Sequence, residues 1–176
     1  MNPLFKRQIP FIALLVGLLV FGAAAPQQMV DVGIWALIYG FAAIGLSLLM
    51  GLAGQVSLGH AAFIAVGAYT QALLVAKANL NPLLAAPISV VAAMLVALLV
   101  GLPLLRLRGH FLALATLGLG IIVGVFVTEQ EFTGGTSGIF GLPNISFGGR
   151  VYDTSQEYFL LLTPVVVIGL WLASNL

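Results

Sequence analysis

The chain has 176 residues, of which 61% are hydrophobic and only 6% charged. Soluble domains carry about 25% charged residues to cover their surface, so this composition excludes one and describes a membrane protein. Six Lys and Arg against five Asp and Glu leave a net charge of +1, excluding a basic nucleic-acid surface, and the lack of cysteine removes disulfides, thiolate metal sites and cysteine nucleophiles.

The charges punctuate the chain. Residues 8–30, 32–76, 78–105, 109–128 and 158–176 contain none. A helix needs about 20 apolar residues to cross a hydrocarbon core, so four of these runs hold one crossing each and 32–76 holds two. The expected fold is therefore an all-α, polytopic membrane protein with one membrane domain over 1–176. Its six helices fall near 9–25, 32–53, 58–76, 83–105, 110–128 and 158–176. The first segment also resembles a secretory signal, with Lys6 and Arg7 before an apolar stretch and Ala23-Ala24-Ala25 after it. Pro26 would follow the scissile bond and hinder cleavage, which favours a retained span. The uncharged run 132–149 is no span, because its six glycines and Pro143 leave a backbone that lipid cannot satisfy.

A cytoplasmic N-terminus places Lys6, Arg7, Arg106 and Arg108 inside and Lys77 and Arg150 outside, the direction that the positive-inside rule requires. Asp31, Glu129, Glu131, Asp153 and Glu157 then all lie outside, four of them in or beside an external loop over 129–157. That loop is either a docking surface for an external partner or simply solvated. Asn144-Ile145-Ser146 matches a glycosylation acceptor, which has meaning only in a eukaryotic secretory context.

No ionisable side chain is left deep in a span, which disfavours a self-sufficient proton-coupled carrier and a voltage sensor. Neither lysine lies in a G-x-x-x-x-G-K-[ST] loop, and Thr133-Gly134-Gly135-Thr136-Ser137-Gly138 lacks that lysine, so the chain has no P-loop. His60 and His110 sit at the cytoplasmic ends of their helices, about 30 Å from every acid, which argues against a Ser-His-Asp hydrolase. Two histidines alone make a poor metal site, so no metal, catalytic residue or bound cofactor is expected.

Gly51-Leu-Ala-Gly54-Gln55-Val56-Ser57-Leu58-Gly59-His60 interrupts the longest apolar run. Ser57 is placed to cap the helix that follows. One reading is a tight cytoplasmic turn between two spans. The other is a broken helix entering the membrane, its N-terminal N–H groups facing an anionic group. Spacing alone favours the turn. Arg106-Leu-Arg108-Gly109-His110 is a basic loop that anchors topology and offers a contact for a cytoplasmic partner or for lipid headgroups. In the next helix, Gly120-xxx-Gly124 is a small-residue face suited to close helix packing.

At these residues a family comes into view. Gly54-Gln55-Val56-Ser57-Leu58-Gly59-His60, running on to Phe63 and Gly67-Ala68-Tyr69, resembles the signature of branched-chain amino-acid ABC importer permeases. Arg106-Leu-Arg108-Gly109 with Ala113 and Ala115-Thr116-Leu117, then Thr133 to Gly138 and Gly141-Leu142-Pro143, is similar to the LivM type rather than to its LivH partner. The resemblance covers residues 30–176. It implies half of a translocation pore for leucine, isoleucine and valine in the bacterial cytoplasmic membrane. It further implies a LivH-like second permease subunit, two cytoplasmic ATPases that alone use ATP, and a periplasmic or extracellular binding protein. Gly54, Gln55, Ser57, Gly59, His60, Tyr69 and Thr116 are then expected at the pathway or the helix break. Arg106 and Arg108 would lie on the cytoplasmic loop, with Gly134, Gly135 and Gly138 on the external one. Two departures matter: Ile121 stands where a Glu is often expected, and the chain reaches Leu176 before the cytoplasmic coupling segment. The chain is accordingly expected to be the N-terminal part of a permease, without ATP-driven transport on its own. A urea or short-chain amide permease of the same superfamily and a non-transporting structural subunit are the alternatives.

Overall fold

The computed structural model describes residues 3–54, 57–104, 106–107, 109–147 and 149–176. The helices are α1 (Pro3–Ala24), α2 (Gln27–Ala53), α3 (His60–Ala78), α4 (Pro82–Leu104), α5 (His110–Glu129) and α6 (Ser155–Ser174). Two 3-10 turns, Glu131–Thr133 and Gly135–Ser137, follow α5. An antiparallel ribbon then pairs β1 (Ser146–Phe147) with β2 (Arg150–Val151), a small addition to the all-helical expectation. Helices α2 to α6 are each long and apolar enough to cross a membrane, and α1 contributes a shorter apolar stretch, Gln8–Ala24.

Helices α1, α2 and α6 start earlier than the charges suggested, because a charge marks the membrane boundary and not the helix boundary; α1 begins at Pro3, ahead of Lys6 and Arg7. Asp31 lies inside α2, four residues beyond its first residue. Helix α6 begins ahead of Glu157, with Thr154 as its N-cap. The Thr154 hydroxyl accepts the Glu157 N–H at 3.4 Å, and the Glu157 carboxylate accepts the Asp153 N–H at 3.2 Å. At the far end of α3, Asn79 takes a left-handed conformation (φ 50°), and the N–H groups of Asn79 and Leu80 turn back to the Leu74 carbonyl.

Two compact units are resolved within what the sequence reads as one membrane domain. The first comprises the chain up to Leu48 together with Tyr152–Leu176. Its core is Val30, Leu37 and Phe159. The Phe159 ring is pressed between two glycines: a Cβ at Gly22 would lie 2.5 Å from Phe159 Cδ1, and one at Gly33 would lie 2.7 Å from Phe159 Cε2. Phe21 tilts against the same ring, with centroids 5.8 Å apart. Further along, Gly169 of α6 accommodates the Phe41 ring of α2. Residues 33 and 41 thus meet 159 and 169 in the same order, so α2 and α6 run parallel. Helix α1 runs the other way, since Phe11 and Leu15 share a groove with Trp171 and Val167 while Gly22 meets Phe159.

The second unit, Leu49–Val151, holds α3, α4 and α5. Helices α3 and α4 are antiparallel: Gly67 faces Ala93, and Gln71 faces Ser89. Helices α3 and α5 are parallel, with Gly59 beside Thr116 and Val66, Tyr69 and Leu73 sharing a cleft with Ile122 to Phe132. Asn81 ties the loop to this bundle. Its side-chain amide donates to the Ser146 carbonyl at 2.7 Å, and its Oδ1 accepts the Leu83 N–H at 2.9 Å. One residue thereby caps α4 and clamps the ribbon to the α3–α4 turn.

Candidate functional site

The break between α2 and α3 is built from glycines with different jobs. Gly54 ends α2 at φ +62°, a backbone conformation that a Cβ disfavours, and sends its N–H to the Met50 carbonyl at 3.1 Å. Gly59 is buried, and its Cα lies so close to α5 that an added Cβ would run into the Thr116 carbonyl. The Leu58 N–H donates to Thr116 Oγ1 at 3.1 Å, and that hydroxyl donates onward to the Ala113 carbonyl at 3.0 Å. Thr116 is 5% exposed and uses its hydroxyl as acceptor and donor at once. It holds the break in place and keeps no hydrogen for a ligand.

The level of this contact along α5 follows from helix geometry. Thr116 stands six residues beyond His110, about 9 Å along α5 at 1.5 Å per residue. Helix α3 therefore starts nearly two turns further along than its parallel neighbour α5. The chain entering α3 thus rests against the side of α5 and not against its first residues. Gly120 adds room one turn further on, its Cβ position 3.8 Å from the Leu58 carbonyl oxygen. Gly124 has no neighbour within 4 Å, so only the first half of the expected small-residue face packs here.

The other expected site residues spread out along this scaffold. Ser57 is half-buried and does not cap α3: the N-cap is Gly59, with no side-chain hydrogen bond. The close approach to Thr116 sets where α3 starts, and the Leu58 N–H finds its acceptor on another helix. His60 is the first residue of α3 and half-buried. Tyr69 sits at the middle of α3 and lines the cleft against α5. Arg106 is exposed in the turn after α4, its N–H on the Pro103 carbonyl at 3.3 Å. Gln55 and Arg108 lie outside the described residues. Gly134, Gly135 and Gly138 all take positive φ, 84°, 59° and 77°, around the two 3-10 turns at the opposite end of α5. Ile121 is exposed on α5. Among the described residues, no three His, Asp or Glu side chains gather as a metal site would need.

Sequence reasoning missed a polar pair between α3 and α4. Gln71 Nε2 donates to the Pro82 carbonyl at 2.7 Å, and its Oε1 lies 3.1 Å from the Ser89 hydroxyl, which is 7% exposed. Neither residue is ionisable, so a search for charges in the spans passes over both; a search for amides and hydroxyls inside apolar runs finds them. Such interhelical bonds contribute about 1 kcal/mol in a membrane. Gln71→Leu is accordingly expected to destabilise the protein by about 1 kcal/mol. Unfolding in mixed detergent checks this, and a double-mutant cycle with Ser89→Ala should return a non-zero coupling.

This helical scaffold can be compared with known proteins. The family described as branched-chain amino acid transport system / permease component matches residues 28–175. The chain belongs to that permease family. It is 37% identical over 154 residues to the high-affinity branched-chain amino acid transport system permease protein LivM of Escherichia coli strain K12. The match to the LivM protein of Salmonella typhimurium strain LT2 is 34% over 153 residues. Each covers 86% of this chain and 36% of the relative, so the chain spans about a third of the length of the curated relatives it matches. No solved structure matches it. As a member of this family with several apolar spanning helices, the chain is a multi-pass protein of the cytoplasmic membrane.

Proposed function

We propose that the chain supplies transmembrane helices to the permease half of an ABC importer for branched-chain amino acids, with its N-terminus in the cytoplasm. The observation that carries this reading is the family match over residues 28–175, together with the LivM resemblance on either side of the break. The distribution of charge supports it. Lys77, Glu129 and Glu157 lie in the terminal turns of their helices and Asp31 only four residues into α2, so none of these charges sits at the middle of a described span as a proton relay would. Energy then comes from two separate ATPases at the end bearing Arg106, and this chain binds no nucleotide. A second permease subunit completes the pore, and a binding protein delivers substrate to the end bearing Lys77 and the ribbon. The chain performs no covalent chemistry. Gly59 meets α5 about 9 Å along from its first residue, His110.

The test is uptake by proteoliposomes holding the complete transporter. Labelled leucine should accumulate only with ATP inside and the binding protein outside, and excess isoleucine or valine should compete. Competition by urea alone, or uptake that ignores ATP, would refute the assignment.

A further inference from the structure

Helices α3 and α5 part above the break to leave a cleft of about 270 Å³. It is walled by Val66 and Tyr69 from α3, Ile122, Val123 and Phe126 from α5, and Phe132 from the first 3-10 turn. Its volume lies just below the roughly 300–1,000 Å³ typical of sites for drug-sized ligands, and its lining is nearly all apolar. The mouth differs in chemistry from the walls. The Lys77 ammonium stands over the Phe132 ring, 5.7 Å from its centroid. Glu131, adjacent to Phe132 in the same turn, is exposed, and so is Glu129 at the end of α5. The Lys77 ammonium therefore stands against Phe132, one wall of an apolar hollow of small-metabolite size, and exposed Glu131 is the next residue in the chain.

We propose that this cleft is an outer subsite for the substrate amino acid. It takes the branched aliphatic side chain between α3 and α5, while Lys77 meets the carboxylate and Glu131 the ammonium. The inference rests on the importer reading and goes beyond it by naming where the side chain is sensed. A zwitterion with an aliphatic body needs opposite charges beside an apolar hollow; Lys77 supplies the cation against Phe132, and Glu131 is the neighbouring exposed carboxylate. A zwitterionic phospholipid shares this chemistry, and the thiol experiment below separates the two occupants.

The complete transporter in proteoliposomes tests the assignment. Val123→Phe fills the cleft from α5. It should lower the preference for leucine over alanine about tenfold, through a raised KM for leucine, since small changes of pocket volume carry at least that discrimination. Val91→Phe on the exposed face of α4 should leave both substrates unchanged. The chain has no cysteine, so Phe132→Cys gives it one thiol. In partners free of reactive thiols, leucine should slow labelling of that thiol by an impermeant reagent at least threefold, and glycine should not. An unchanged preference, or a thiol that leucine leaves unprotected while brominated lipid chains quench a fluorophore placed there, overturns the proposal. Should Val123→Phe fail to assemble, the thiol decides alone. A parent transporter that never moves leucine contradicts the importer reading instead.

Discussion

Phe159→Ala is expected to destabilise the protein by about 3 kcal/mol, measured as unfolding in mixed detergent. Phe159 is 1% exposed and fills the slot between Gly22 and Gly33 beside Val30. Truncating a buried Phe typically costs about 3–5 kcal/mol, the sum of a transfer contribution and a cavity contribution. Lipid is as apolar as this core, so the transfer part shrinks and the lost packing contacts dominate, which places the value at the low end. The glycines make the reasoning stricter. A methyl at Gly33 would lie 2.7 Å from the ring, so Gly33→Ala should also destabilise, by about 1–3 kcal/mol as overpacking does. Combined with Phe159→Leu, Gly33→Ala should cost less than the sum of the two changes. Simple additivity would mean that ring and glycine do not share the slot.

The same slot shows which parts of the protein are legible in its sequence. Helix number and approximate position are, because eleven charges in 176 residues are confined to the ends of apolar runs. The break is legible too, since glycines and the polar residues Gln55, Ser57 and His60 stand out in an apolar stretch. Which helix faces touch is not. A helix in water betrays its buried face by an apolar stripe, but in lipid every face is apolar and the stripe vanishes. Nothing local in the sequence distinguishes Gly33, under Phe159, from Gly40, which has no neighbour within 4 Å. Nor does spacing reveal that Leu58 bonds to a residue 58 positions away in α5. Thr116 was singled out by its motif alone; its partner, and hence its role, required the packing. The start of α3 differs from the expectation for the same reason. Ser57 has the chemistry of a cap, but the approach of Gly59 to the Thr116 carbonyl sets the helix start two residues later.

The largest effect on the candidate site is expected at Gly59. Gly59→Ala directs a methyl into the Thr116 carbonyl, with the Thr116 carbonyl carbon 3.1 Å away and its Cβ 3.2 Å away. These are atoms of a helix, not the far end of a flexible side chain, so the break has to lift off α5. Overpacking costs about 1–3 kcal/mol, and the Leu58 N–H that loses Thr116 Oγ1 adds about 1–3 kcal/mol if it stays buried. A loss of about 3 kcal/mol is expected for Gly59→Ala and more for Gly59→Val. Two controls separate this from a general effect of glycine replacement. Gly51→Ala and Gly101→Ala lie inside helices with nothing within 4 Å, and should stabilise by up to about 1 kcal/mol through helix propensity. The hydroxyl has its own test. Thr116→Ser keeps the acceptor and should be near neutral, whereas Thr116→Val orphans the Leu58 N–H and should cost about 1–3 kcal/mol. Under the importer reading, leucine uptake by the complete transporter should follow the same order, with Thr116→Ser close to the parent, Thr116→Val reduced and Gly59→Val lowest. If Gly59→Val retains full stability, the break is not held against α5, and the 9 Å offset between the starts of α3 and α5 loses its structural cause.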